Sequence, residues 1–199
     1  MVQFHPPDSK PFGLSYEEHI IKDWNRNLTA PIDKIPMEDK TGQWTSYGVD
    51  PNSQVVYLSG NTGGTNQRTC KVPKGSGLFI SICDAIYSEA EKPGSTVEDL
   101  DKLAKKDQDN ANEVYLKIND DEFKLDDLKK YRFHTRPFDV VIPQEKTLFG
   151  LPAGPTKAVA DGYYVITEPL SAGNYTIVTK ANISEPTWNS EVKYDVIVE

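Results

Sequence analysis

The sequence predicts a mainly β chain: an antiparallel β-sandwich, jelly-roll-like, with an N-terminal amphipathic helix and one helical insertion. Three observations carry this. Apolar residues alternate with polar ones over many short runs, as where Val192, Tyr194, Val196 and Val198 oppose Lys193, Asp195 and Glu199. Turn-forming sets such as NTGGT at 61–65 and PKGS at 73–76 punctuate the runs at short intervals. Ten tyrosines stand against two methionines, a balance that suits half-buried sheet faces. At 199 residues the chain reads as a single domain, 1–199, built on one core.

The elements follow in order. Residues 1–13 run extended and proline-rich. From about 15 to 28, SYEEHIIKDWNRNL opens on a capping box, Ser15 with Glu18 three residues on. Tyr16, Ile20, Trp24 and Leu28 recur every fourth residue with Ile21 beside them, the stripe of an amphipathic helix. Pro31 and Pro36 close it, and the stretch to Pro51 reads as loop. Residues 54–60 read as a buried strand. Residues 67–72 and 77–83 read as strands of a hairpin across PKGS that carries both cysteines. The charged stretch from about 90 to 111 reads as a helical insertion on the sheet surface, with Ser95 and Glu98 as a second capping box and a narrow stripe of Val97, Leu100, Leu103 and Ala104. Strand alternation resumes at 114–118, turns at NDDE and continues through Phe123 and Leu125. In YRFHTRPFDVVIP, Pro137 removes a ladder donor and marks a bulge or an edge. Residues 149–160 read as irregular loop. Strands at 163–167, 174–178 and 191–199 close the chain, the first two turning at EPLSAG.

Net charge is −8 and the isoelectric point is near 5.0. Nucleic acid is excluded as a partner on this ground, since phosphate binding needs a positive field, and anionic lipid is disfavoured. No apolar run approaches the roughly 20 residues of a membrane span. The start MVQFHPPDSKPFG has no basic region and reads as a mature exported protein with an added methionine, giving a secreted or extracytoplasmic location. Three glycosylation sequons, at Asn27, Asn174 and Asn182, point the same way. Cys70 and Cys83 are too few for a zinc site. They are either two buried thiols or a disulfide, and export favours the Cys70–Cys83 disulfide.

The pieces PFGLSYEEH, VVYLSGNTGG, RTCKVPKGSGLFISI, YRFHTRPFDVVIP, LFGLPAGPTKAVADGYYV and PLSAGNYTIV cover most of the chain. In this order they resemble a family of predicted secreted bacterial and archaeal proteins. The resemblance implies a signal peptide in the precursor and an extracytoplasmic home, and it implies no activity. The chain departs from the family's pattern in keeping only Trp24 of the helix tryptophans and only Cys70 and Cys83 of the cysteines.

Residues with chemistry are few. The histidines are His5, His19 and His134, with no HxH, HExxH or GxSxG, so no metal or cofactor is expected. Neither cysteine has a local histidine to make it a nucleophile. Asp120, Asp121, Glu122, Asp126 and Asp127 form either an oxygen-rich loop for calcium or a plain turn. Alternation in YRFHTR sets Arg132, His134 and Arg136 on one strand face, with Asp161 and Tyr163 expected near its rim. Such a strip either binds a carboxylate, sulfate or acidic glycan or forms a solvated, salt-bridged face. Trp44, Trp188, Tyr163 and Tyr164 either stack on sugar rings or pack the core. The leading expectation is a secreted β-sandwich that binds an extracellular ligand such as a glycan without catalysis. The alternatives are an extracellular glycan- or polymer-active enzyme and a subunit of a surface layer or filament whose extended termini add strands to neighbours.

Overall fold

Ser15 starts the first helix as its setting predicts: its hydroxyl accepts from the Glu18 amide (3.2 Å), and the Glu18 carboxylate accepts from the Ser15 amide (2.7 Å). In the computed structural model, which describes residues 2–199, this helix is α1 (Tyr16–Thr29) and buries Tyr16, Ile20, Trp24 and Leu28. The strands in chain order are β1 (Val55–Leu58), β2 (Gly64–Val72) and β3 (Gly77–Ser88). After helix α2 (Val97–Asp109) come β4 (Ala111–Ile118) and β5 (Asp121–Lys124), then the short helix α3 (Leu125–Leu128). The chain ends with β6 (Arg132–His134), β7 (Phe138–Ile142), β8 (Gly154–Ile166), β9 (Gly173–Ile183) and β10 (Trp188–Val198).

The fold is mainly β, but the sheets are mixed rather than antiparallel. One sheet has the order β1-β3-β8-β6, with β7 also paired to β8; the other runs β2-β10-β9-β4-β5. β1 runs parallel to β3, and β2 runs parallel to β10. The cause lies in where β2 goes. It leaves the β1 sheet for the other sheet, and β3 then returns beside β1 in the same direction. Alternation in sequence tells which face a residue takes, not which strand lies beside it. β3 contacts β9 and β4 of the opposite sheet, and one hydrophobic core runs through α1 and both sheets.

The expected cysteine hairpin is corrected by the same crossing. Cys70 on β2 and Cys83 on β3 belong to different sheets, and both are buried free thiols, so there is no Cys70–Cys83 disulfide. Other boundaries move less. The second capping box lies one residue on, with Thr96 as cap and Asp99 as its partner, and α2 buries Leu100 and Ala104 against β3 and β8. Leu125 opens α3 instead of continuing β5. Residues 154–160, expected as loop, are the first half of β8. Pro137 separates β6 from β7, as its missing donor requires. The N-terminal segment pairs within its own chain: Phe4 bridges Thr167, and the His5 amide donates to Ile166 O (2.8 Å). Among the described residues, no helix is long and apolar enough to cross a membrane.

Candidate functional site

β6 lies against β8 in a register that sets His134 opposite Asp161 and Arg132 opposite Tyr163. The Asp161 carboxylate is 1 % exposed. It accepts from Arg132 Nε (2.8 Å) and Nη2 (3.1 Å) and sits 3.2 Å from His134 Nδ1. α2 completes the network from above. Asp109 accepts from Arg132 Nη1 (2.7 Å), and Asp101 meets His134 Nε2. Lys105, and after it His134, hold the Asp101 carboxyl below its usual range. Arg136 turns to α1, where Glu17 accepts from its amide (2.6 Å) and lies 3.3 Å from its guanidinium. The structure thus brings Arg132, His134, Asp161 and Tyr163 together and gives each of the three basic side chains of the strip, Arg132, His134 and Arg136, a carboxylate of its own. Tyr163 is buried beneath them.

A second constellation lies where β3, α2 and the start of β10 approach one another. Asp84, on the mostly apolar β3, stands opposite Gly162 of β8. A Cβ at Gly162 would come 2.4 Å from the Asp84 Cβ, so glycine is what lets the carboxylate sit there. Ser81 Oγ donates to Asp84 Oδ2 (2.9 Å), with Tyr164 as a further partner. Burial nevertheless pushes the Asp84 carboxyl up to about 7. Asp84 lines a cleft of about 260 Å³ together with Tyr87, Glu91, Asp107, Phe149 and Trp188; Trp24 also contributes to its wall. The Tyr87 hydroxyl donates to Asp107 Oδ2 (2.7 Å), and burial raises both Asp107 and Glu91. Trp188 is held by its Nε1, which donates to Thr62 O (3.1 Å). Phe149 is 52 % exposed and takes a left-handed backbone (φ 61°), a conformation that costs a non-glycine residue about 1 kcal/mol or more. The cleft therefore offers aromatic faces together with carboxylates reluctant to ionise. These groups accept hydrogen bonds, and one of them can carry a proton near neutrality.

Two of the roomier concavities adjoin the N-terminal segment and carry less. One of about 720 Å³ is lined by Phe4, Phe123 and Tyr131, but the rings pack on each other (Phe4–Phe123 centroids 4.7 Å) and Lys129 is paired with Asp126. The other, about 490 Å³, holds Asp120 and Asp121 of the NDDE turn. Among the described residues, no group of three or more His, Cys, Asp or Glu is disposed to hold a metal ion.

The remaining sequence candidates are placed as follows. Tyr164 is fully buried, and Trp44 is half-buried with the Lys34 ammonium 5.6 Å from its ring centroid. Asn174 is exposed and Asn182 half-buried. Asn27 is 0 % exposed: its Nδ2 donates to Asp23 O (2.9 Å) and Ser59 Oγ (3.2 Å), and its Oδ1 accepts from Met37 N (3.0 Å). The fold leaves no room for a glycan on that nitrogen, which corrects the sequon at Asn27. Burial pushes the Cys70 thiol up to about 12 and raises Cys83 as well, so neither is primed as a nucleophile. Sequence reasoning missed Asp84, Tyr87, Glu91, Asp107 and Phe149. The signal for Asp84 was a lone acid inside the apolar run FISICDAIY. The others come from separate elements that only the fold assembles.

No family model matches this chain, and no curated protein matches it. Among solved structures the chain is similar to one from "Structure of PbICP-C in complex with falcipain-2", at 17 % identity and a TM-score of 0.30, over 73 % of this chain and 98 % of that one.

Proposed function

We propose that this chain is an extracytoplasmic, sandwich-like domain that binds a ring-bearing ligand of the glycan class in the Phe149–Trp188 cleft, without catalysis. The observation that carries the reading is Phe149. An exposed aromatic ring held on a strained backbone at the lip of a cleft, beside a hydrogen-bonded Trp188, is placed for a ligand rather than for the core. Sugars present an apolar C–H face to such rings and hydroxyls to carboxylates such as Asp107 and Glu91. The volume, below the roughly 300 Å³ of drug-sized pockets, suits one ring or a chain end. The exposed sequon at Asn174 agrees with an exported protein. The Arg132–Asp161–His134 network serves in this reading as the fastener between α2 and the sheet, because its charges are already matched within the chain.

Tryptophan fluorescence titration with an oligosaccharide panel tests the proposal. Phe149→Ala and Trp188→Ala are each expected to weaken binding about three- to tenfold, the range of a lost aromatic contact. Affinities unchanged in both variants would overturn it. A second reading, an enzyme acting on glycans, is favoured by one observation: the Asp84 carboxyl, raised to about 7, is suited to passing a proton. Release of reducing ends by the wild type and its loss in Asp84→Asn would select that reading.

A further inference from the structure

We infer that the cleft selects an organic ammonium group carried on a ring, the chemistry of an amino sugar, over neutral and acidic sugars. The inference rests on the ring-binding reading above and names its ligand class. Three carboxylates, Asp84, Glu91 and Asp107, share the cleft with the rings of Trp24, Tyr87, Phe149 and Trp188, and no Lys, Arg or His is among the described residues lining it. One kind of ligand suits both halves of that lining. An ammonium group is attracted to an aromatic face within about 6 Å of the ring centroid. It also forms charge-assisted hydrogen bonds with carboxylates, whereas an anion meets only like charge there. The chain itself shows the contact at the rim. The Lys92 ammonium lies 5.7 Å from the Tyr87 ring centroid and 3.8 Å from the Glu91 carboxylate. A cation is thus already accommodated beside this wall, and a ligand cation reaching further in would meet Asp107, with Asp84, raised to about 7, protonated at pH 6 and offering it a neutral carbonyl oxygen. The net charge of −8 adds a long-range preference of the same sign. The acidic glycan expected from Arg132, His134 and Arg136 is the wrong sign for this cleft.

The test is isothermal titration of the full chain at low salt and pH 6 with three probes: a glucosamine oligomer, its N-acetylated counterpart and a uronate oligomer. Glu91→Gln changes a half-exposed rim residue and serves as the charge variant; Trp188→Ala serves as the ring variant. The glucosamine oligomer is expected to bind about tenfold tighter than the N-acetylated one, and Glu91→Gln to shrink that ratio about fivefold, whatever the variant does to the affinity for the neutral oligomer itself. Equal affinity for the amine and acetylated forms, or tighter binding of the uronate, overturns the inference. If Trp188→Ala still weakens that binding, the ring-binding reading stands without the ammonium preference. Absence of binding by all three probes to the wild type overturns both.

Discussion

Asp84 concentrates what is unusual at the scale of single residues. It is an acid in the middle of an apolar strand, held against Gly162, with Ser81, Tyr164 and the Asp23 charge around it. Its folded-state value of about 7 stands well above the roughly 3.9 of an unfolded aspartate. Between those values the folded chain holds a proton that the unfolded chain has released. The contribution of Asp84 to stability is therefore present at low pH and is lost as pH rises from about 4 to about 7. Asp84→Asn removes this dependence. Relative to wild type, the variant's melting temperature is expected to be distinctly more favourable at pH 8 than at pH 4.5. A difference of the same size at both pH values would show that Asp84 ionises freely in the folded chain. His19 is a buried counterpart of opposite sign: its ring lies between the Tyr57 hydroxyl (2.8 Å) and Pro11 O (2.9 Å), and burial lowers its pKa. The unfolded chain takes up that proton first as pH falls below about 6.5, so the His19 contribution weakens on the acid side.

At the scale of elements, α1 is where sequence and structure agree best, because both of its signals are local. A capping box spans four residues, and a 3.6-residue stripe shows itself without knowledge of the partner. Tyr16 stacks on Phe133 of β6 (centroids 4.5 Å), and Trp24 donates from Nε1 to the Tyr164 hydroxyl of β8 (3.2 Å), so the stripe docks on the sheet. Trp24 is 3 % exposed. Trp24→Ala is expected to cost about 3–5 kcal/mol, read as a drop in the urea midpoint, and an unchanged midpoint would mark α1 as peripheral. Strand faces were legible for the same reason, since a period of two is local. Strand neighbours were not. The parallel pairs β1–β3 and β2–β10 depend on the chain crossing between sheets, and nothing within NTGGT or PKGS states where the next strand goes. The candidate site shows the same divide. The alternation of Arg132, His134 and Arg136 was plain, but the carboxylates that match them come from α1, α2 and β8. The cleft was legible only in fragments, Trp188 as one of four rings that could stack on a sugar and Asp84 as a lone acid in β3, because Phe149, Trp188 and Asp107 reach it from distant parts of the chain.

The whole molecule raises a different question: what ties two mixed sheets and a long N-terminal loop into one unit. The apolar core does most of this, yet one polar residue bridges the same parts. Arg68 on β2 is 1 % exposed, and its guanidinium is bonded mainly to backbone carbonyls. Nε donates to Asp39 O (2.5 Å) and Nη2 to Met37 O (2.9 Å), both in the loop after α1. Nη1 donates to Ser59 O (2.8 Å) and Gly60 O (3.1 Å), just past β1, and to the Tyr194 hydroxyl of β10 (2.5 Å). A rigid five-donor fork is the side chain suited to collecting so many acceptors at one point. It joins the edge of one sheet to the end of the other, and it supplies partners to carbonyls that the crossing between β1 and β2 leaves without a ladder. Arg68→Met keeps the stem and removes every donor, so Met37 O and Gly60 O lose the donor they have here, while Ser59 O keeps the Tyr194 hydroxyl and Asp39 O a long bond from Asn66. The expected cost is about 3–5 kcal/mol, the scale of breaking a buried charged network. Arg68→Lys, with three donors and no planar fork, is expected to recover part of this loss. Urea unfolding followed by tryptophan fluorescence and by far-ultraviolet circular dichroism measures both variants. If Arg68 couples the sheets, Arg68→Met lowers the midpoint, and the two probes, coincident in wild type, separate. A midpoint within about 1 kcal/mol of wild type, with both probes still coincident, would show that the apolar core alone joins the sheets and that the carbonyls find water instead.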